Sequence, residues 1–240
     1  ELALNTFDIN AQKREKIVIW LAKFGFSTRD LLSKMLGVNV DGQGAFFKKL
    51  VESGITKEEY VPGTRKRVIT LTPDGVQQAR IYQPDLEVKS LRKFPLHTLI
   101  HSYSIQSFLT TQKGVKDFFS ETELAKRKFI RRPDLLIVND AGVKIAIEVE
   151  LTQKDVNRVY FNFYGHVQDW QQERIDHVIY LFSSPTVLAR YEELYQKNPW
   201  PKFITTDGNV RHMSRSGSVD PSHAHTHGLM YFHKFEPYAL

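Results

Sequence analysis

The residues best placed to do chemistry lie in the run VKIAIEVEL at 143–151. Read as a strand, it alternates its side chains between faces, so Glu148 and Glu150 share one face while Ile147, Val149 and Leu151 line the other. The rise per residue sets the two carboxylates about 7 Å apart along the strand. The preceding run PDLLIV is also strand-like, and the intervening NDAG favours a tight hairpin that returns Asp134 to the side of the glutamates. Three acids held together repel and raise one another's pKa unless a cation neutralises them. Hard carboxylate oxygens suit Mg²⁺ or Mn²⁺, which can activate water, polarise a phosphate and stabilise a leaving oxygen. An isolated pair of glutamates is more often the polar edge of a sheet. Here the apolar opposite face, the proline before Asp134 and Lys154 just beyond the strand favour a metal site with a nearby cation.

Other groups have the character of a polyanion surface. Lys126, Arg127, Lys128, Arg131 and Arg132 stand immediately before Asp134, where they can lead a phosphodiester toward the metal. Lys48 and Lys49, with Arg65, Lys66 and Arg67, are expected to touch phosphate or groove, although such runs are commonly just solvated surface. His223, His225 and His227 would share a face on a strand and bind a transition metal, but their segment reads as loop. His97 and His101, four apart on a helix, read as packing or surface residues.

Several elements must position these groups. Residues 12–24 have helical apolar spacing, Ser27 and Thr28 can cap a second helix ending at Gly37, and Asp41 can cap a third carrying Phe46, Phe47, Leu50 and Val51. ITKEEYVPG and TRKRVITLT then read as a hairpin, so three short helices followed by a hairpin describe a winged helix. Thr72 and Pro73 open a further helix through about Ile81, and YQPDLEVKSLRKFP marks a domain boundary. The division expected is a winged-helix DNA-binding domain at 1–85 and a second domain at 86–240. The second domain opens with a helix over HTLIHSYSIQSFL, followed by the acidic hairpin. Then come a long helix at 153–174, a strand HVIYLFS covered on both faces, a helix at 187–196 and a strand KFITT, with 207–227 as loop. The fold class is α/β (α+β).

The balance of 33 basic and 27 acidic residues gives a net charge of +6, which suits a polyanion without demanding one. The absence of cysteine excludes disulfides, thiolate zinc sites and cysteine nucleophiles, and points to a reducing cytoplasm. No run approaches the roughly 20 apolar residues that cross a bilayer, so no membrane insertion is expected.

RPDLLIV, then EVE with thirteen residues between Asp134 and Glu148, and a later lysine resembles the PD-(D/E)xK nuclease superfamily. That resemblance implies a restriction-endonuclease-like mixed sheet flanked by helices, with Asp134 and Glu148 on the metal. Glu150 occupies the position of the family's lysine, so either Lys154 takes over the lysine's role or Glu150 is an additional ligand. The family often supplies another glutamate from the preceding element, for which Glu123 or Glu121 is placed, although Ser120 and Glu123 also spell a capping box. Through the winged helix, the linker, HTLIHSYSIQSFL, ETEL, RPDLLI and IEVELTQKD, nearly the whole chain resembles the replication-relaxation proteins, particularly the MOBC-type plasmid mobilisation relaxases. This implies strand-specific nicking at a plasmid transfer origin, on double-stranded DNA with local single strand and with auxiliary mobilisation proteins as partners. Relaxases often conserve bond energy as a tyrosine-phosphate link, which makes Tyr160 and Tyr164 candidate nucleophiles beside their roles as core or base-stacking rings. The alternatives are a non-catalytic winged-helix regulator of replication or transcription, and a nuclease that cuts both strands.

Overall fold

The computed structural model describes residues 6–89 and 95–236 of the 240-residue chain. They form two compact units divided between Gln112 and Lys113. The class is mixed α/β, with helices and a five-stranded mixed sheet.

In the first unit, helix α1 (Thr6–Phe24) buries Ile17, Val18, Trp20, Leu21 and Phe24, as its spacing predicts. Helix α2 (Arg29–Leu36) is capped by Thr28, whose hydroxyl accepts the Leu31 N–H at 3.4 Å, and stops at Gly37, whose φ of 68° suits glycine. Ser27 does not cap. Its backbone instead bridges to Ile69 and its hydroxyl donates to Gln106 at 2.7 Å. Asp41 does not cap either, because it lies within a 3₁₀ turn (Val40–Gly42) capped by Asn39; helix α3 (Gly44–Glu52) starts with no side-chain cap. Strands β1 (Thr56–Tyr60) and β2 (Arg67–Leu71) pair antiparallel as expected, and Thr72 caps helix α4 (Pro73–Tyr82).

The expected boundary at 85/86 moves. Helix α5 (Leu96–Thr111), assigned by sequence to the second domain, belongs to the first unit. The reason is Gln106, fully buried, whose Oε1 accepts from Trp20 Nε1 and Ser27 Oγ at 2.7 Å each and whose Nε2 donates to the Phe26 carbonyl at 2.9 Å. Leu99 completes a small core with Phe26, Val61 and Val68. Residues 90–94 of the expected linker lie outside the described residues.

The second unit opens with strand β3 (Val115–Ser120), short helix α6 (Glu121–Leu124) and strands β4 (Leu135–Asn139) and β5 (Lys144–Glu150). The β4–β5 hairpin turns where NDAG predicts: Asn139 Oδ1 accepts the N–H groups of Ala141 and Val143 at 3.0 and 2.9 Å, and Gly142 has φ 80°. Next come helix α7 (Val156–Gln171), strand β6 (His177–Phe182), helix α8 (Pro185–Gln196), strands β7 (Trp200–Thr205) and β8 (Met213–Val219), helix α9 (Ser222–His227) and strand β9 (Met230–Lys234). The sheet order is β3-β4-β5-β6-β9, antiparallel across β3, β4 and β5 and parallel across β5, β6 and β9.

Two expectations change here. KFITT forms β7, but β7 pairs with β8 as a separate ribbon rather than joining the main sheet. The stretch 207–227 is not all loop, since it contains β8 and α9. A core of Phe163, Tyr180, Phe182, Tyr191 and Trp200 joins α7 and α8 to the sheet.

Candidate active site

The face of β5 that carries Ala146, Glu148 and Glu150 is the one that meets this core, where Glu148 stands opposite Tyr180 and Glu150 opposite Phe182. Both carboxylates are therefore buried, 1% and 2% exposed, rather than spread along a solvent edge. Asp134 precedes β4 and extends its pairing with β5: its N–H donates to the Ile147 carbonyl at 3.0 Å and its Oδ2 accepts the Val149 N–H at 2.8 Å. The hairpin thus brings Asp134 to the strand that carries the two glutamates.

Buried carboxylates need partners. Glu148 has two: Arg131 Nη2 donates to Oε2 at 2.7 Å, and His166 Nε2 lies 3.0 Å from Oε1. Glu150 forms an ion pair with Lys154. Arg131 is itself held from α7, because the fully buried Asp169 accepts the backbone N–H of Ile130 at 2.9 Å and of Arg131 at 2.8 Å. Asp169 also accepts from Arg174 Nε at 2.5 Å. Gly165 permits this approach, since a Cβ there would stand 2.8 Å from Arg131 Cβ.

Burial pushes the Glu150 carboxyl up to about 7; the neighbouring charges of Glu148 and Asp134 add to the rise and Lys154 opposes it. Burial acts to lower the Arg131 pKa, but the Glu148 charge leads a larger opposing effect and the group ends above its ordinary value. The Tyr180 hydroxyl is pushed far above the usual phenol range, by burial first and then by Glu148. Burial, then the Glu150 charge, does the same to Tyr191. Tyr191 is thus coupled to Glu150 electrostatically, although its hydroxyl falls outside hydrogen-bond geometry. Arg131 Nε, His166 Nδ1 and the Tyr180 hydroxyl are buried with no hydrogen-bond partner among the described residues.

The three acids have the hard oxygen donors that Mg²⁺ or Mn²⁺ prefers. Among the described residues no set of three acidic or histidine side chains is arranged as a metal-binding group, and Glu148 and Glu150 are neutralised by Arg131 and Lys154. Asp134 is half-buried with Oδ2 on the Val149 N–H, and an ion at Glu150 would have to displace Lys154.

The remaining sequence-derived candidates scatter. Glu123 closes a capping box with Ser120, its Oε2 accepting the Ser120 N–H at 2.8 Å, so the capping role is realised. Tyr160 is 3% exposed and donates its hydroxyl to the Leu194 carbonyl at 3.1 Å, a core position unsuited to attack on DNA. Tyr164, one turn on, is half-buried beside Lys202, whose ammonium lies 5.0 Å from the ring centre. Lys126 and Lys128 are exposed, Arg127 lies over the Phe119 ring at 3.7 Å, and Arg132 pairs with Glu121 at 3.2 Å.

In the first unit, Lys48, Lys49, Arg65, Lys66 and Arg67 are all exposed, with Lys48 3.6 Å from Glu52 and Arg67 against Tyr60 and Glu58. His97 is exposed and His101 half-buried. His223, His225 and His227 do not converge, because they fall on helix α9 rather than a strand. His225 Nε2 contacts the Tyr195 carbonyl at 2.6 Å, and His227 contacts that of Asp176 at 3.0 Å while stacking on Trp170 and His177.

His166 and Asp169 were not found from sequence. The available signal was polar residues at 162, 166 and 169, spaced four and three along the otherwise apolar stripe of VYFNFYGHVQDW.

No family model and no curated protein matches this chain. Two solved structures of a Lactococcus lactis ZitR mutant, one in apo form, match at 22% identity with TM-scores of 0.29 and 0.28. They cover 31% and 35% of this chain, which spans 57% and 60% of theirs.

Proposed function

We propose that this chain nicks one strand of DNA at a plasmid transfer origin, using a restriction-endonuclease-like patch of Asp134, Glu148 and Glu150. The observation that supports the reading is the hairpin that brings Asp134 beside the strand carrying the buried Glu148 and Glu150, with Lys154 paired to Glu150. Asp134, Glu148 and Glu150 would hold Mg²⁺ or Mn²⁺, which when bound supplies activation of water and stabilisation of the leaving oxygen. Arg131 fixes the Glu148 carboxylate, and Lys154, released from Glu150, orients the attacking water. The tyrosine route narrows to Tyr164, since Tyr160 is committed to the core. A winged-helix reading of the first unit draws on the order of three helices and a hairpin, with the Ser27–Ile69 bridge beside the hairpin. Lys48, Lys49, Arg65, Lys66 and Arg67 would then meet duplex DNA. Auxiliary mobilisation proteins would complete the assembly.

The test is conversion of supercoiled origin plasmid to open circle with Mg²⁺ or Mn²⁺. Asp134→Asn and Glu150→Gln are expected to lower the rate at least a hundredfold; retention of the parental rate overturns the assignment, and linear product would replace nicking with double-strand cutting. Denaturing electrophoresis with end-labelled DNA reads the nucleophile, a protein-linked band lost in Tyr164→Phe marking the tyrosine.

A second reading is a non-catalytic DNA-binding regulator. It is favoured by the pairing of Glu148 with Arg131 and His166 and of Glu150 with Lys154, which neutralises the acids without a metal. Footprinting without metal-dependent cleavage would select it.

A further inference from the structure

A groove of about 340 Å³ runs within the second unit beside the carboxylates, between α7, the 130–131 connector and β7. Tyr164 and Phe161 supply aromatic surface, Lys202 and Arg131 supply cations, and Ile204, 45% exposed, gives an apolar rim. Among the described residues no carboxylate lines it. That composition is selective: rings beside cations, without acids, fit a planar group attached to an anion. Arg131 belongs both to the groove wall and to the Glu148 ion pair, so the groove borders the acidic patch through one shared side chain.

We propose that this groove seats an unpaired nucleotide of single-stranded DNA, the base against Tyr164 and Phe161 and the phosphate on Lys202. The proposal rests on the DNA reading above and adds the substrate form that the second unit selects. Base stacking on an aromatic face tolerates any base, so the groove prefers single strand over duplex rather than one sequence over another. Its affinity has two separable parts. Lys202 contributes a phosphate contact, which appears in the salt dependence of binding, whereas the ring of Tyr164 contributes stacking, which does not.

The experiment is fluorescence anisotropy of the full chain with labelled oligo(dT) and with a duplex of the same length, without divalent metal, over a series of salt concentrations. Lys202→Ala is expected to weaken oligo(dT) binding and to reduce the slope of log K against log salt by about 0.7, one single-strand phosphate contact. Tyr164→Leu is expected to weaken it roughly tenfold with the slope unchanged, while Tyr164→Phe, which keeps the ring, binds as the parent. Ile204→Glu at the exposed rim, which leaves the core untouched, is expected to weaken oligo(dT) binding through repulsion. Duplex binding is expected to change in none of these variants. If the parent binds duplex but not oligo(dT), or if all variants bind oligo(dT) as the parent does, the groove proposal falls and the DNA reading stands. If the parent binds neither, both fall.

Discussion

Arg131 and Glu148 show how closely this site is tied to stability. Breaking one side of a buried ion pair leaves the other charge uncompensated, which costs more than the pair contributes. Arg131→Met is expected to lower unfolding free energy by about 3 kcal/mol in urea titration, because only His166 then faces the Glu148 carboxylate. Glu150 makes a pH prediction with a definite sign. Its carboxyl titrates near 4.5 when unfolded and at about 7 when folded. The folded state therefore holds the proton more tightly, and stability falls as pH rises from about 4.5 through 7. At about 1.36 kcal/mol per unit the loss reaches about 3 kcal/mol. Glu150→Gln is expected to flatten this dependence, read as urea midpoints at pH 5 and pH 8 with EDTA present; equal pH dependence in both proteins would contradict it. The positions of Asp134, Glu148 and Glu150 were legible because alternation and a turn motif are local signals. Their partners were not, since His166 and Asp169 meet Glu148 and Arg131 across separations of 18 and 38 residues that no periodicity encodes.

At the scale of elements, α7 acts through Gly165 and Asp169 together. Gly165→Ala would force a methyl to within 2.8 Å of Arg131 Cβ, a neighbour close to the main chain and unable to swing aside. The expected cost is about 1–3 kcal/mol and, on the proposed function, a larger loss of nicking than the stability change alone would give, since Arg131 shifts from Glu148. Comparing urea midpoints with nicking rates under conditions where the variant is folded checks this. Helix and hairpin boundaries that rest on caps and turn residues, such as Thr28, Thr72 and NDAG, were legible to within a few residues. Strand β8 was not, because SRSGSV has no aromatic residue and Val219 as its one branched residue, and it pairs as an exposed ribbon. HAHTH reads as loop for a related reason: its Ser- and His-rich run carries no apolar helical spacing, yet its backbone closes one short helix ending at Gly228 with φ 68°.

For the molecule as a whole, the division after Gln112 predicts how the chain can be cut. A fragment through Gln112 is expected to melt cooperatively by circular dichroism, whereas one ending at Asp85 lacks the Gln106 side chain that joins Trp20, Ser27 and Phe26 and is expected to melt broadly or not fold. Equal cooperativity in the two would contradict this assignment. The sequence placed the break too early because the proline-containing stretch before α5 resembles a linker, while membership of the first unit is decided by hydrogen bonds spanning about 80 residues. Strand β5 has a comparable role in the second unit, held antiparallel by β4 on one side and parallel by β6 on the other. Sliding it by one position would exchange Glu148 and Glu150 for Val149 and Ile147 on the core-facing side. An insertion or deletion at 140–143 that shifts the β4–β5 register carries that exchange with it, so natural length variation in relatives of this chain is expected to collect instead in exposed connections such as 206–212.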